Sequence, residues 1–157
     1  MRIILAIDGT KCSDEAVKAI FNFRFSEDDE LKLITVIDLA VPAVIDLYAG
    51  QLPSSTEIEK SAKENAKLIL EKTKKQIENF IPDEKLIITS EILVGSPEKR
   101  IVEAARKFEA DLIVIGSHGY KSWERLLLGS VSDSVIHHSP CSVLVVRNNQ
   151  KDIERES

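Results

Sequence analysis

Five short apolar runs alternate with amphipathic segments along this chain. Several of the runs lack a strict alternation of apolar and polar positions, which is typical of strands covered on both faces of a parallel sheet. The segments between them repeat apolar residues at spacings of three and four, which predicts helices. The predicted strands are Ile3 to Ile7, Leu31 to Ile37, Leu86 to Val94, Leu112 to Ile115 and Val143 to Val146.

Residues that commonly begin or end a helix bound the predicted helices. Thr56 and Glu59 match a capping box at the start of the longest helix, and Pro82 is placed to end it. Ser96-Pro97 puts a favoured N-cap residue before a proline at the first helical position. Pro140 ends the last predicted helix before the final strand. The helical segments are residues 16–23, 58–80, 101–108 and 131–138.

The alternation of strands and helices predicts the fold class. We expect an α/β fold, with a single open, doubly wound, five-stranded parallel sheet and helices on both faces. Residues 1–147 form one predicted domain, and residues 148–157 form a polar C-terminal tail. Ligands of such sheets bind beyond the carboxyl ends of the strands, where the strand order reverses. Three segments fall at such ends: Asp8-Gly9-Thr10, Val36-Ile37-Asp38 and Gly116 to Gly119.

The connection from Leu39 to Ser55 is unusual because its 17 residues have no clear periodicity. Loops of this length in a compact domain tend to be lids, binding loops or disordered segments. The presence of Val41, Ile45 and Tyr48 makes this one too apolar to be only a solvated tether.

The charge balance limits the classes of partner. Lysine plus arginine number 21 and aspartate plus glutamate number 26, which gives a net charge of −5. We therefore expect no nucleic-acid partner and no acidic membrane partner, since either would need a basic face. A small anionic ligand stays possible because a few backbone amides and one or two cations suffice to hold it.

The start of the chain and the two cysteines bear on the compartment. Met1 to Asp8 is too short for a signal peptide, and no apolar run approaches the roughly 18 residues that span a bilayer. The sequence therefore predicts a cytoplasmic protein. Cys12 and Cys141 lack a zinc or Cys-x-x-Cys spacing, so we expect free thiols. A redox role for Cys12, near a predicted helix start, is the alternative.

The segment from Gly116 to Ser130 carries the main candidate chemistry. It reads G-S-H-G, then nine residues, then G-S, between a predicted strand and a predicted helix. Glycines at 116 and 119 permit positive φ and a close approach of the backbone to a ligand. The alternative is that they only make a tight turn and that Ser130 only caps the helix. The candidate phosphate donors are the amides of Gly129, Ser130, Val131 and Ser132 and the hydroxyls of Ser130 and Ser132.

Two better-known phosphate motifs are absent from the sequence. Without G-x-x-x-x-G-K-[S/T], the chain also lacks the lysine that reaches the β- and γ-phosphates in that motif. Where G-x-G-x-x-G would follow the first strand, the sequence reads Asp8-Gly9-Thr10.

Taken together, these segments resemble the universal stress protein family. The resemblance is carried by Asp8-Gly9-Thr10, by Thr35 to Asp38, by G-S-H-G-x9-G-S and by Pro140 with the apolar strand that follows it. It covers nearly the whole chain, and the glycine spacing is specific to the ATP-binding branch of the family. It implies an adenine nucleotide α-hydrolase-like fold with strand order 3-2-1-4-5.

The resemblance also implies a function and a site. The chain would be an ATP-binding stress-response or regulatory module, with Mg²⁺ or Mn²⁺ held mainly through the phosphates. Asp8 would lie near the ribose or the metal, and Val36 would meet adenine through its backbone. A homodimer paired through Val143 to Val146 is implied as well, with a further protein partner that is not identified. The residues lining ribose and phosphates would be Gly116, Gly119, Gly129, Ser130, Val131 and Ser132.

The residues alone leave two other functions open. A weak ATPase or phosphoryl-transfer enzyme would need a base, and Asp8, Asp38 and His118 are candidates without a recognisable partner. The sequence therefore predicts no catalytic residue. A nucleotide-free dimeric scaffold would use the glycines only for the turn, and Asp8 would then cap a helix or hydrogen-bond a loop.

Overall fold

The computed structural model describes residues 1–39, 54–81, 86–117 and 128–147. The predictions for the connection 40–53, for Pro82, for His118 and Gly119 and for the tail 148–157 lie outside these residues. Strands and helices alternate in the order β1 (Arg2–Ala6), α1 (Lys11–Ile20), β2 (Glu30–Ile37), α2 (Ser55–Phe80), β3 (Ile87–Val94), α3 (Pro97–Phe108), β4 (Leu112–Gly116), α4 (Ser130–His138) and β5 (Ser142–Val146).

The strands form one parallel sheet in the order β3-β2-β1-β4-β5. This confirms the predicted fold class and strand order. β1 lies at the centre, where Ala6 is paired with Ile34 of β2 on one side and with Ile115 of β4 on the other. The chain order of the strands reverses between β1 and β4.

Both faces of the sheet are covered, which explains why the strands lack strict alternation. Along β1, Ile3 and Leu5 of this strand, and Ile7 directly after it, join one buried apolar cluster with α1 and α2. Ile4 and Ala6 join a second cluster with α3 and α4 on the opposite face. Each fully buried side chain of this size contributes about 1.5–3 kcal/mol relative to its exposed state.

The predicted start of α2 is wrong by two residues. Ser54, rather than Thr56, is the N-cap, and it forms a capping box with Glu57 in place of Glu59. Both pairs match the same spacing rule, and the upstream pair adds two residues to the helix, about half a turn. The helix ends at Phe80, with Ile81 as its C-cap.

The first helix also differs from its prediction, since α1 spans Lys11–Ile20 and not residues 16–23. The predicted Ser96-Pro97 start of α3 is confirmed, with one difference in chemistry. Pro97 is the first residue of α3 after the N-cap Ser96, but the Ser96 side chain makes no capping bond to the backbone. Its hydroxyl instead donates to the Glu98 carboxylate. α4 ends at His138, two residues before Pro140.

Two further observations concern the described ranges. The helices found there include none that is both long and apolar enough to cross a bilayer. Cys12 and Cys141 are free thiols, as expected.

Candidate functional site

The reversal of strand order brings three sequence-predicted segments to one edge of the sheet. Two residues beyond the Ala6 register lie Asp8, Val36 and Ser117. Asp8 and Ser117 follow β1 and β4, whereas Val36 is the penultimate residue of β2. In doubly wound sheets, this reversal opens a crevice at the carboxyl edge between two neighbouring strands. The structure therefore places Asp8 and Gly116 on either side of the position expected for a ligand.

Asp8 orders the turn between β1 and α1. Its Oδ1 accepts the Thr10 amide at 3.0 Å and the Thr10 hydroxyl at 2.6 Å. Gly9, between them, has φ 79°, a left-handed conformation that glycine adopts without a steric cost. The loop-bonding role considered for Asp8 is thus present, and it uses one carboxylate oxygen.

Thr10 and Ser13 complete this turn, and the sequence interpretation assigned neither a role. Thr10 is the N-cap of α1, since its Oγ1 accepts the Ser13 amide at 3.3 Å. The buried Ser13 hydroxyl accepts from the Gly9 amide at 3.2 Å and donates to the Thr10 carbonyl at 3.0 Å. A threonine just before the first helical stripe was the available signal. The turn is held by its own polar groups.

Gly116 serves a packing role that the sequence did not reveal. A β-carbon built on it would lie 2.7 Å from both the carbonyl carbon and the oxygen of Cys12, at the start of α1. Its φ is not positive, unlike those of Gly9 and Gly95 among the described glycines. Gly116 therefore does not use the positive φ that glycine permits. Glycine is needed there because the end of β4 lies against helix backbone.

The end of β4 and the start of α4 are joined through Ser117. The Ser117 amide donates to the Val146 carbonyl at 2.8 Å, and its carbonyl accepts the Gly129 amide at 2.8 Å. The predicted donor at Gly129 is thus already used within the protein. The buried Ser132 hydroxyl lies 3.0 Å from the Ser117 carbonyl and 2.9 Å from the Gly129 carbonyl. The expectation that this hydroxyl faces a phosphate does not match its position.

The remaining predicted donors lie at the start of α4. Gly129 is the N-cap and makes no side-chain capping bond. The amides of the first turn, at Ser130, Val131 and Ser132, have no carbonyl partner within a helix. Ser130 is exposed, so its hydroxyl is accessible to a ligand. A helix N-terminus stabilises a nearby anion by about 0.3–1 kcal/mol, and by up to ~2 kcal/mol in a sheltered geometry.

The charges along α4 follow the helix dipole. Asp133 lies in the first turn, and His137 and His138 lie in the last. The His137 and His138 Nδ1 atoms each lie 2.8 Å from a backbone carbonyl one turn earlier. Asp133 is exposed, so water screens its repulsion of an anion at the same helix end.

Metal ligation stays a prediction. Within the ranges that the structure describes, no group of three or more histidine, cysteine, aspartate or glutamate side chains could hold an ion. Asp8 could supply one oxygen ligand, and phosphate oxygens would have to supply others, which is how Mg²⁺ is commonly held.

Comparisons with a family model and with known proteins agree on one family. The model of the universal stress protein family matches residues 1–147. A universal stress protein of Methanocaldococcus jannaschii is 37% identical over 151 residues, covering 96% of this chain and 84% of that protein.

Solved structures agree on the fold. A protein whose biochemical function was assigned from its structure has a TM-score of 0.78 at 28% identity, covering 96% of this chain and 97% of that one. A universal stress protein in complex with cAMP has a TM-score of 0.67 at 23% identity, covering 95% and 98%. An Arabidopsis thaliana universal stress family protein with AMP bound has a TM-score of 0.67 at 15% identity, covering 97% and 94%.

Proposed function

The chain belongs to the universal stress protein family, and from this premise we propose that it binds an adenine nucleotide at the carboxyl edge of its sheet. The nucleotide would lie between the β1–α1 turn and the start of α4. The proposed ligand is ATP, accompanied by Mg²⁺ or Mn²⁺. Its physiological role would be regulatory, in a cytoplasmic stress response.

The observation that carries the proposal is the junction between β4 and α4. The Gly129–Ser117 and Ser132–Ser117 hydrogen bonds fix the first turn of α4 beside the end of β4. That is the point where the strand order reverses. A helix N-terminus at this place is suited to phosphate because its amides and dipole both favour an anion.

The complexes of two proteins of the same fold support the ligand class. One holds cAMP and the other holds AMP, which share adenine, ribose and one phosphate. The G-x-x-G-x9-G-S spacing from Gly116 to Ser130 resembles that of the ATP-binding branch of the family, which is why we propose ATP.

Each site residue has a proposed part in binding. Val36 would offer its backbone to adenine, and Asp8 would lie near the ribose or the metal. Gly116 and Gly119 would border the ribose and phosphates. The Ser130 hydroxyl and the amides of Ser130, Val131 and Ser132 would donate to the phosphates, while Gly129 would place them as the N-cap residue.

A homodimer through β5 is part of the proposal. β5 is an edge strand of the sheet, and Leu144 on it is 37% exposed. An unpaired edge with apolar side chains is a template for pairing with another chain. Analytical ultracentrifugation tests the homodimer. Sedimentation as a monomer at all concentrations up to about 100 micromolar, where a stable dimer would be populated, would contradict it.

Hydrolysis is not part of the proposal. A base would have to be near the γ-phosphate, and the Asp8 Oδ1 already accepts two hydrogen bonds inside its own turn.

Calorimetric titration with a nucleotide panel tests the proposed function. ATP with Mg²⁺, ADP, AMP and cAMP are compared with GTP as the base control, on the dialysed full chain. We expect binding of the adenine nucleotides, with ATP tightest, and weaker binding of GTP. The absence of any binding heat at millimolar ATP would refute the proposal. Equal affinity for ATP and GTP would refute the proposed contact with adenine.

A further inference from the structure

Ser132 has a side chain that is turned into the protein. It is the third residue of α4 and is 2% exposed. Its hydroxyl lies within hydrogen-bond distance of the Ser117 and Gly129 carbonyl oxygens, at 3.0 and 2.9 Å. A serine hydroxyl has one proton to donate, and both of these groups are acceptors. The proton is therefore committed to the backbone of the junction.

The two carbonyls belong to the residues that join the strand to the helix. Ser117 is the first residue after β4, and Gly129 is the N-cap of α4. The Gly129 amide also donates to the Ser117 carbonyl at 2.8 Å. The Ser117 carbonyl oxygen thus lies within hydrogen-bond distance of two donors at the start of the helix, the Gly129 amide and the Ser132 hydroxyl. Together these contacts set the distance and the angle between the helix start and the end of the strand.

We infer that Ser132 is a positioning residue of the proposed nucleotide site. Its hydroxyl holds the amides at the start of α4 against the end of β4 and so directs them at the phosphates, without itself donating to the ligand. The inference rests on the proposed function, and it divides the two serines of this turn by role. Ser130 contacts the nucleotide, and Ser132 acts through the backbone.

Removal of the Ser132 hydroxyl leaves the fold intact. The Ser117 carbonyl keeps the Gly129 amide at 2.8 Å, and the Gly129 carbonyl keeps the Asp133 amide at 2.9 Å. In Ser132→Ala both carbonyls therefore keep a hydrogen-bond partner. The variant avoids the large cost of a buried polar group left without one. The variant removes one oxygen atom, so the cavity it leaves is smaller than a methyl group.

The test compares Ser132→Ala with Ser134→Ala, which lies two residues further along the same helix and whose hydroxyl is 3.4 Å from His138 Nδ1. Two quantities are measured on the full chain. The first is the hydrogen-exchange rate of the Gly129 amide without ligand, and the second is the affinity for ATP with Mg²⁺ and for adenosine.

We expect the Gly129 amide of Ser132→Ala to exchange several-fold faster than in the wild type, about fivefold, because its acceptor is held less firmly. ATP affinity falls about tenfold, which is the size of effect that the loss of one hydrogen bond can have on binding. Adenosine affinity is unchanged because adenosine has no phosphate. Ser134→Ala matches the wild type in the Gly129 exchange rate and in both affinities. A role in stability alone would weaken ATP and adenosine equally.

Each other outcome overturns the inference in a recognisable way. Weaker ATP binding with unchanged Gly129 exchange would mean that Ser132 contacts phosphate directly. Faster exchange with unchanged ATP affinity would mean that the Ser132 hydroxyl does not position the phosphate donors. Unchanged values of both would remove any role for Ser132. Only the absence of ATP binding by the wild type would also overturn the proposed function, which keeps the two failures distinct.

Discussion

Gly116, at the end of β4, lies against the backbone of Cys12 in the first turn of α1. A β-carbon at position 116 would be 2.7 Å from the Cys12 carbonyl carbon and oxygen and 3.1 Å from its β-carbon. Contacts this short between a β-carbon and another heavy atom are essentially never seen in real proteins. The close packing of protein interiors leaves little room for the neighbouring atoms to shift. This relationship sets how near α1 lies to the end of β4.

Gly116→Ala is expected to lower the free energy of unfolding by about 1–3 kcal/mol, the usual cost of overpacking a core position. Chemical denaturation monitored by circular dichroism measures this. The clash is mainly with backbone, so adding Cys12→Gly, which removes the Cys12 side chain, should not restore stability. Full recovery in that double variant would show that the side chain, and not the backbone, limits position 116.

Thr10→Ala is expected to lower the free energy of unfolding by about 1 kcal/mol because α1 loses its N-cap. The Thr10 hydroxyl also donates to Asp8 Oδ1 at 2.6 Å, so the turn loses a second bond. Thr10→Ser keeps the hydroxyl and serves as the matched control, with stability near that of the wild type. Equal losses in both variants would contradict the capping role.

The capping box of α2 predicts a pH dependence. The Ser54 amide and then the Ser54 hydroxyl hydrogen-bond the Glu57 carboxylate, and these bonds hold the pKa of Glu57 below its usual value of 4.5. A carboxylate with a lowered pKa in the folded protein stabilises it above the unfolded pKa. That contribution is lost as the pH falls through the lower folded value.

NMR titration of the Glu57 side-chain carbon measures this effect. In the wild type, the pKa of Glu57 should be below 4.5. In Ser54→Ala the pKa should rise only part of the way toward that value, because the backbone amide of residue 54 is the larger cause and is retained. An unchanged pKa of Glu57 in Ser54→Ala would show that the Ser54 hydroxyl does not lower it.

Ser130→Ala is expected to weaken ATP binding about three- to tenfold, the loss of one hydrogen bond to a charged group. Ser130 is exposed and Gly129, not Ser130, is the N-cap, so thermal melting without ligand should stay near that of the wild type. Isothermal titration and differential scanning calorimetry give the two values. An unaltered ATP affinity would count against a phosphate contact at Ser130.

The sheet could be predicted from the sequence because several of its strands are apolar runs without strict alternation. Both faces of β1 are buried, so its apolar run identifies it as a strand, whereas its place at the centre was implied by the resemblance to the universal stress protein family. The start of α2 was misplaced because Ser54-Glu57 and Thr56-Glu59 carry the same local signal. Only the geometry of the folded helix selects between them.

The candidate site was predictable in location and less so in detail. The glycine and serine spacing from residue 116 to residue 130 identifies the junction, but not which groups face outward. The role of Gly116 depends on a contact with α1, about 100 residues earlier in the chain, which no local pattern encodes. The inward position of the Ser132 hydroxyl likewise depends on where Ser117 lies in the folded protein.

The most direct test of the central claim is an NMR titration of the ¹⁵N-labelled chain with ATP and Mg²⁺. We expect saturable shifts of the amides of Ser130, Val131 and Ser132 and of Asp8, all at the carboxyl edge of the sheet. The amides of Ser26 and Asp29, which precede β2 at the opposite edge, should not move. Shifts confined to other surfaces, or none at millimolar ATP, would contradict the claim that the nucleotide binds at this junction.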